Sequence, residues 1–220
     1  MKIAIVTGAT SGLGRAFLEE WQREGCWFDE VWLVARHQEA LAEQRPQIQA
    51  VVNSAGYGKT GLVDSIAPQE QTGMIDLNCS ALVAVTQQVL PYMMRGGVIY
   101  EIASVAAFLP QPGFAVYAAT KAFVLSFARA LNAEQKKRGV HVIAVCPNPM
   151  DTGFFDRAGV APTLIKRLGF EAPEAVARSA MRDAARGRDV STNSRLAGAI
   201  RVCAKCLPHR WIVEMERWLL

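Results

Sequence analysis

Short apolar, β-branched runs alternate along this chain with longer stretches in which apolar positions recur every three or four residues. The short runs predict buried strands at 2–7, 31–35, 50–52, 98–103 and 140–145. The longer stretches predict helices at 15–24, 38–44, 73–94, 115–138 and 173–185. Such alternation implies a doubly wound, Rossmann-like α/β fold with a parallel sheet covered on both faces. Residues 57–72 read as a loop and 153–172 as a mobile flap. We divide the chain into one domain over 1–190 and a helical extension over 191–220 packed on it. In that tail Arg201, Lys205, His209, Arg210 and Arg217 interleave with Trp211, Ile212, Val213, Trp218 and Leu219. This pattern fits a cover over a substrate opening, a subunit contact or a membrane-surface anchor.

Open α/β sheets bind ligands beyond the carboxyl ends of their strands. Gly8, Arg36, Asn53, Ser104 and Pro147 each follow a predicted strand, so they should gather on one rim. The first strand runs into Gly8-Ala9-Thr10-Ser11-Gly12-Leu13-Gly14 and then a helix. That is the context of a dinucleotide site, in which glycines bring the backbone close to a pyrophosphate at a helix N-terminus. The same glycines could serve only a tight turn. Beyond the second strand stand Ala35 and Arg36, where a carboxylate would hold the ribose 2′-OH of NAD; an arginine there suits the 2′-phosphate of NADP.

Tyr117 and Lys121, four residues apart at the start of a predicted helix, lie on one helical face. An ammonium beside a phenol favours the phenolate, which predicts a lowered tyrosine pKa and a general acid or base. Ser104, at a neighbouring strand end, could steady a carbonyl or alcohol oxygen. A bare YxxxK pair also occurs by chance in many helices.

The 220 residues suffice for one well-buried domain, and 51% hydrophobic with 20% charged residues is a folded globular composition. A net charge of +4, with scattered basic residues, argues weakly for an anionic ligand and hardly at all for nucleic acid. No apolar run reaches the length of a bilayer span, and the N-terminus enters a strand pattern rather than a signal peptide. The five cysteines, mostly in apolar surroundings, suggest free thiols in a reducing cytoplasm. Cys203-Ala-Lys-Cys206 lacks the second pair that a zinc site needs, so we expect no metal.

Thr7-Gly8-x-x-x-Gly12-x-Gly14, Asn53-Ser54-Ala55-Gly56, Asn78, Ser104, Tyr117-x-x-x-Lys121 and the turn from Pro147 to Thr152 together resemble the short-chain dehydrogenase/reductase family. The resemblance implies hydride transfer between NADP(H) and a carbonyl or alcohol. Tyr117 would protonate the carbonyl oxygen, Lys121 would lower the tyrosine pKa and hold the nicotinamide ribose, and Ser104 would bind the substrate oxygen. Asn78 would place a water beside the lysine, and Thr152 would meet the carboxamide. Gly8, Thr10, Ser11, Gly12, Leu13, Gly14, Arg36, Asn53, Ala55, Gly56, Tyr117, Lys121, Pro147 and Thr152 would line the cofactor. A homodimer or homotetramer through the helices of Asn78 and Tyr117 is expected. Phe108, Leu109, Phe114, Phe154 and Phe155 suggest an apolar substrate pocket.

Three positions depart from the family pattern. Ser54 replaces the second asparagine of N-N-A-G, and Asn148 replaces the glycine after Pro147. Between Arg36 and Asn53 the chain is shorter than its relatives, which implies one edge strand fewer, an exposed apolar edge at 31–34 and an open adenine pocket. A catalytically weak NADP-binding or interaction protein is therefore the alternative reading.

Overall fold

The structure, a computed structural model, describes residues 2–10, 12–25, 28–33, 46–150 and 170–206, with 208, 210, 211, 213 and 214 of the tail. Six strands form one parallel sheet: β1 (Lys2–Thr7), β2 (Glu30–Leu33), β3 (Gln47–Asn53), β4 (Met93–Ile102), β5 (His141–Val145) and β6 (Val190–Ser191). Their order is β2-β1-β3-β4-β5-β6. The chain leaves β1 toward β2 on one side and resumes with β3 on the other. The order thus reverses between β1 and β3, the crevice where α/β sheets bind ligands.

The predicted strands have no polar face because both of their faces are buried. Ile3 and Ile5 point into one apolar layer with Val51, Ile99, Val142 and residues of the helices α3 (Leu82–Val89) and α4 (Ala115–Gln135). Ala4 and Val6 point the other way, with Phe17 and Trp21 of α1 (Gly12–Arg23) and Val176, Ala177 and Ala180 of α5 (Pro173–Ala185). A register irregularity between Ile48 and Ala50 lets both contribute to opposite layers although they lie two apart.

Several element boundaries differ from the sequence reading. The predicted loop 57–72 ends early, in α2 (Pro68–Ile75). The predicted helix 73–94 is broken into α2, a π-helical turn at Asp76–Ala81, α3 and a 3₁₀ turn at Leu90–Tyr92. Met93 and Met94 belong to β4, where Met93 pairs with Ile48. β6 has only two residues, too few for any periodicity, and exists through its pairing with Ala144 and Val145.

β2 stands at the sheet edge among the described residues, with Val31 exposed. The predicted helix 38–44, with Val34, lies outside the described residues, as does the flap apart from 170–172. In the tail, α6 (Arg195–Cys206) packs near the 3₁₀ turn Val105–Phe108 and buries Ala197, leaving Leu196 and Val202 exposed. No helix among the described residues is long and apolar enough to cross a membrane.

Candidate active site

Thr7 ends β1 and fastens two loops to each other. Its hydroxyl accepts the backbone N–H groups of Ser54, at 3.0 Å, and Ala55, at 3.1 Å, so the glycine turn and the loop after β3 lie side by side. Gly8 and Gly12 take left-handed backbone conformations, with φ of 65° and 58°. Gly14 is glycine for another reason: a Cβ there would lie 2.5 Å from the Gly8 carbonyl oxygen. Gly8 and Thr10 are exposed and Leu13 is buried. The turn thus presents bare backbone at the N-terminus of α1, where free N–H groups and the helix dipole favour an anion. A dinucleotide's phosphates fit such a cradle. Gly14→Ala must displace the turn, and an overpacking cost of about 1–3 kcal/mol is expected. Thermal unfolding and NADPH titration should show lower stability and weaker binding; an unchanged variant would contradict the cradle.

Ser104 lies two residues beyond β4 and caps the Val105–Phe108 turn, its hydroxyl accepting the Ala106 N–H at 3.2 Å. The same hydroxyl hydrogen-bonds to Tyr117, so strand end and helix start meet. Tyr117 sits in the first turn of α4, 8% exposed, its ring stacked on Phe114 with centroids 4.3 Å apart. One turn on, Lys121 is buried, and its Nζ donates to the Ile102 carbonyl at 2.7 Å and lies 5.7 Å from the Tyr117 ring centroid.

Asn78 is held by the π-helical turn, a distortion that re-aims side chains and often marks functional sites. Its Oδ1 accepts the Tyr57 N–H at 3.0 Å, and its Nδ2 donates to the Tyr57 carbonyl at 2.9 Å and to Thr120 at 3.0 Å. Both amide hydrogens are thereby used, leaving one Oδ1 lone pair. Gly56 explains how Asn78 and Lys121 approach: a Cβ built there would lie 2.9 Å from Asn78 Oδ1 and 3.6 Å from Lys121 Nζ.

The expected lowering of the tyrosine pKa does not hold in this arrangement. Burial pushes the Tyr117 phenol up to about 12, with only the Ser104 hydrogen bond opposing it. Desolvation therefore outweighs the proximity of Lys121, whose ammonium is directed at a backbone carbonyl. Burial also brings Lys121 down from 10.5 to about 8, opposed by Cys79, Cys146 and Glu101.

Ser104, Tyr117, Lys121, Asn78 and Gly56 converge as expected, and Pro147 stands beside them, its carbonyl accepting the Val105 N–H at 3.0 Å. Asn53 faces inward instead: its side chain is 3% exposed and bonded to Thr86 of α3 and Glu101 of β4. Asn148, in place of the usual glycine, ties its loop to Glu171 at 3.1 Å and Ser194 at 2.6 Å. Ser11, Arg36, Thr152, Phe154 and Phe155 lie outside the described residues. Sequence reading missed Glu101, Thr120 and the two thiols near Lys121, and gave Thr7 no role beyond opening the glycine motif. Only Glu101 left a signal, as a lone carboxylate inside an apolar run.

The family model described as short chain dehydrogenase matches residues 34–159. An uncharacterized oxidoreductase of Staphylococcus epidermidis is 30% identical over 184 residues, covering 69% of this chain and 79% of the relative. The very-long-chain 3-oxoacyl-CoA reductase of Rattus norvegicus is 27% identical over an alignment of 248 residues, covering 95% and 76%. A solved short-chain dehydrogenase from Sphingobium yanoikuyae, in complex with NADPH, superposes with a TM-score of 0.73 at 24% identity, over 94% of this chain and 97% of that one. A Rossmann-like sheet with its glycine turn at the switch point, matched by the family model over more than half its length, makes this chain a member of the short-chain dehydrogenase/reductase family of oxidoreductases.

Proposed function

We propose that this chain is an NADP(H)-dependent carbonyl reductase or alcohol dehydrogenase acting on an apolar small molecule. The observation that carries the reading is the joined Ser104–Tyr117 pair with Lys121 one turn below, on the rim where the glycine turn lies open. Gly8, Gly12, Gly14, Ala55 and Gly56 would hold the dinucleotide by backbone. Ser11, Arg36 and Thr152 would serve its phosphates, 2′-phosphate and carboxamide. When bound, the nicotinamide supplies or accepts the hydride. In reduction Tyr117 gives its hydroxyl proton to the carbonyl oxygen, and Ser104 hydrogen-bonds the same oxygen. A phenol pushed up to about 12 remains a proton donor at every working pH. The Lys121 ammonium faces the phenolate left behind and orients the ribose, and Asn78 steadies the Tyr57 backbone and the Thr120 hydroxyl around it.

The absence of a carboxylate at positions 35 and 36 supports NADP over NAD. Phe114, stacked on Tyr117, and half-buried Leu109 support an apolar substrate, a class that suits the 3-oxoacyl compound in the rat relative's name. Exposed Ile75 and Phe123, with Phe123 stacked on Phe127, support a homo-oligomer through α2 and α4. The free thiols of Cys79, Cys146, Cys203 and Cys206 support a cytoplasmic setting. The segment beyond about residue 190 would act as a cover on the same domain.

The raised tyrosine favours the second reading, a catalytically weak NADP-binding protein, since oxidation needs Tyr117 as a base. One experiment separates the two. NADPH and NADH consumption is followed with a panel of apolar ketones, beside thermal shifts with each cofactor. Turnover that prefers NADPH is expected. NADPH binding without turnover of any ketone would leave the binding protein standing.

A further inference from the structure

Glu101 is fully buried, 0% exposed, one residue from the carboxyl end of the central strand β4. It lies in register with Asn53 of β3 and Ala144 of β5, and it faces the layer that holds α3 and α4, as its neighbours Ile99 and Ala103 do. A carboxyl group in this position is costly unless something uses or neutralises its charge. Its immediate partners are neutral. Asn53 Nδ2 lies 3.2 and 3.1 Å from the two carboxyl oxygens, and Thr86 Oγ1 lies 2.9 Å from Oε1. The next residue, Ile102, supplies the carbonyl that holds Lys121 Nζ at 2.7 Å.

The hydrogen-bond inventory suits a group that exists in both protonation states. Thr86 has one hydroxyl hydrogen and two acceptors in reach, Glu101 Oε1 at 2.9 Å and the Leu82 carbonyl at 2.8 Å. When Glu101 is ionised, Thr86 and Asn53 both donate to it. When Glu101 is protonated, its hydroxyl can donate to Thr86, whose own hydrogen turns to Leu82, with no heavy atom moving. The Asn53 Oδ1, buried without a hydrogen-bond partner, is a second acceptor in the same cluster.

We propose that Glu101 is a positioning residue whose carboxylate is the counter-charge that keeps Lys121 an ammonium at neutral pH. Its consequence for turnover rests on the oxidoreductase reading; the coupling itself does not. Glu101 meets Asn53 from β3 and Thr86 from α3, and feels the charge of Lys121 from α4. Lys121 lies in the electrostatic reach of Cys79 from the π-helical turn, Cys146 just beyond β5 and Glu101 from β4, in that order of effect, and its Nζ lies over the Tyr117 ring on its own helix. Burial raises both thiols, Cys146 to about 12, so they are uncharged at neutral pH. Tyr117 likewise stays a phenol. Of these groups Glu101, brought by burial to about 7, is the one that becomes an anion near neutrality. Lys121 loses its proton at about 8 with that carboxylate among the groups holding it up, and would lose it at lower pH without Glu101.

The test follows the Lys121 side chain directly by NMR in lysine-labelled full-length protein, its resonance identified by its loss in Lys121→Met. In Glu101→Gln, which keeps the size of the side chain and removes its charge, the Lys121 midpoint should fall by about half a pH unit or more. In Glu101→Asp it should stay nearer the parent value, although the shorter chain disturbs packing more. Thr86→Val, which withdraws a donor from the carboxylate and so raises its pKa, should lower the Lys121 midpoint in the same direction and serves if Glu101→Gln does not fold. The alkaline limb of the turnover profile should move with the midpoint. A Lys121 midpoint that is the same in parent, Glu101→Gln and Thr86→Val overturns the proposal, whether or not the parent reduces ketones. A midpoint that moves in a parent devoid of turnover upholds the coupling and refutes the oxidoreductase reading instead.

Discussion

Tyr117→Phe should reduce NADPH-dependent ketone reduction by about a thousandfold, within the range that a positioned general acid contributes, while the protein folds and binds NADPH as before. The separation of the two effects follows from how the ring is held. Its stacking on Phe114 and its burial against Met74, Ala106 and Ala118 belong to the carbon skeleton, which phenylalanine keeps. The substitution removes the hydroxyl and with it the hydrogen bond to Ser104, a loss of about 1 kcal/mol. The Ser104 hydroxyl still accepts the Ala106 N–H and is not left without a partner. The glycine turn lies on another loop and is untouched. Steady-state rates with the reduced nicotinamide, beside thermal shifts with and without NADPH, check this. A variant as active as the parent would remove Tyr117 from the chemistry; a variant that no longer binds NADPH would make it a structural residue.

What could be read from the residues alone was whatever depends on local pattern. The strand cores at 2–7 and 140–145 and the helix from Pro173 to Ala185 were legible because burial on both sheet faces, and a proline at the helix start, leave uninterrupted signals. The convergence of Ser104, Tyr117 and Lys121 was legible because the topology of a parallel sheet sends strand ends to one rim. The π-helical turn around Asn78 was not, since it arises where Thr120 and the Tyr57 backbone, distant in sequence, claim one amide. Nor was the state of Tyr117. The i, i+4 spacing placed Lys121 beside it, but the energetic sign depended on burial and on the Ile102 carbonyl, both of them tertiary facts. Glu101 was the opposite case. It interrupts the apolar run of β4, and a carboxylate in that place is a signal that a strand pattern conceals.

Lys121→Met should abolish turnover as fully as the loss of Tyr117, and it should also change how stability depends on pH. Burial takes the lysine from 10.5 to about 8 in the folded protein, equivalent to about 3 kcal/mol. Below about pH 8 the folded and unfolded chains both carry the proton, and the folded state bears the whole penalty of a buried ammonium. From pH 8 to 10.5 the folded chain releases the proton while the unfolded chain keeps it, so the penalty fades; above 10.5 it is gone. Methionine has no such term. The loss of the donor to Ile102 lowers the variant's stability by a constant amount that does not titrate. The parent should therefore gain about 2–3 kcal/mol on the variant between pH 7 and pH 10. Urea unfolding of both proteins across that range measures the difference, in which titrating groups that do not sense Lys121 cancel. A difference that stays flat would mean that Lys121 is solvated in the native protein, and the buried ammonium on which the site depends would be excluded.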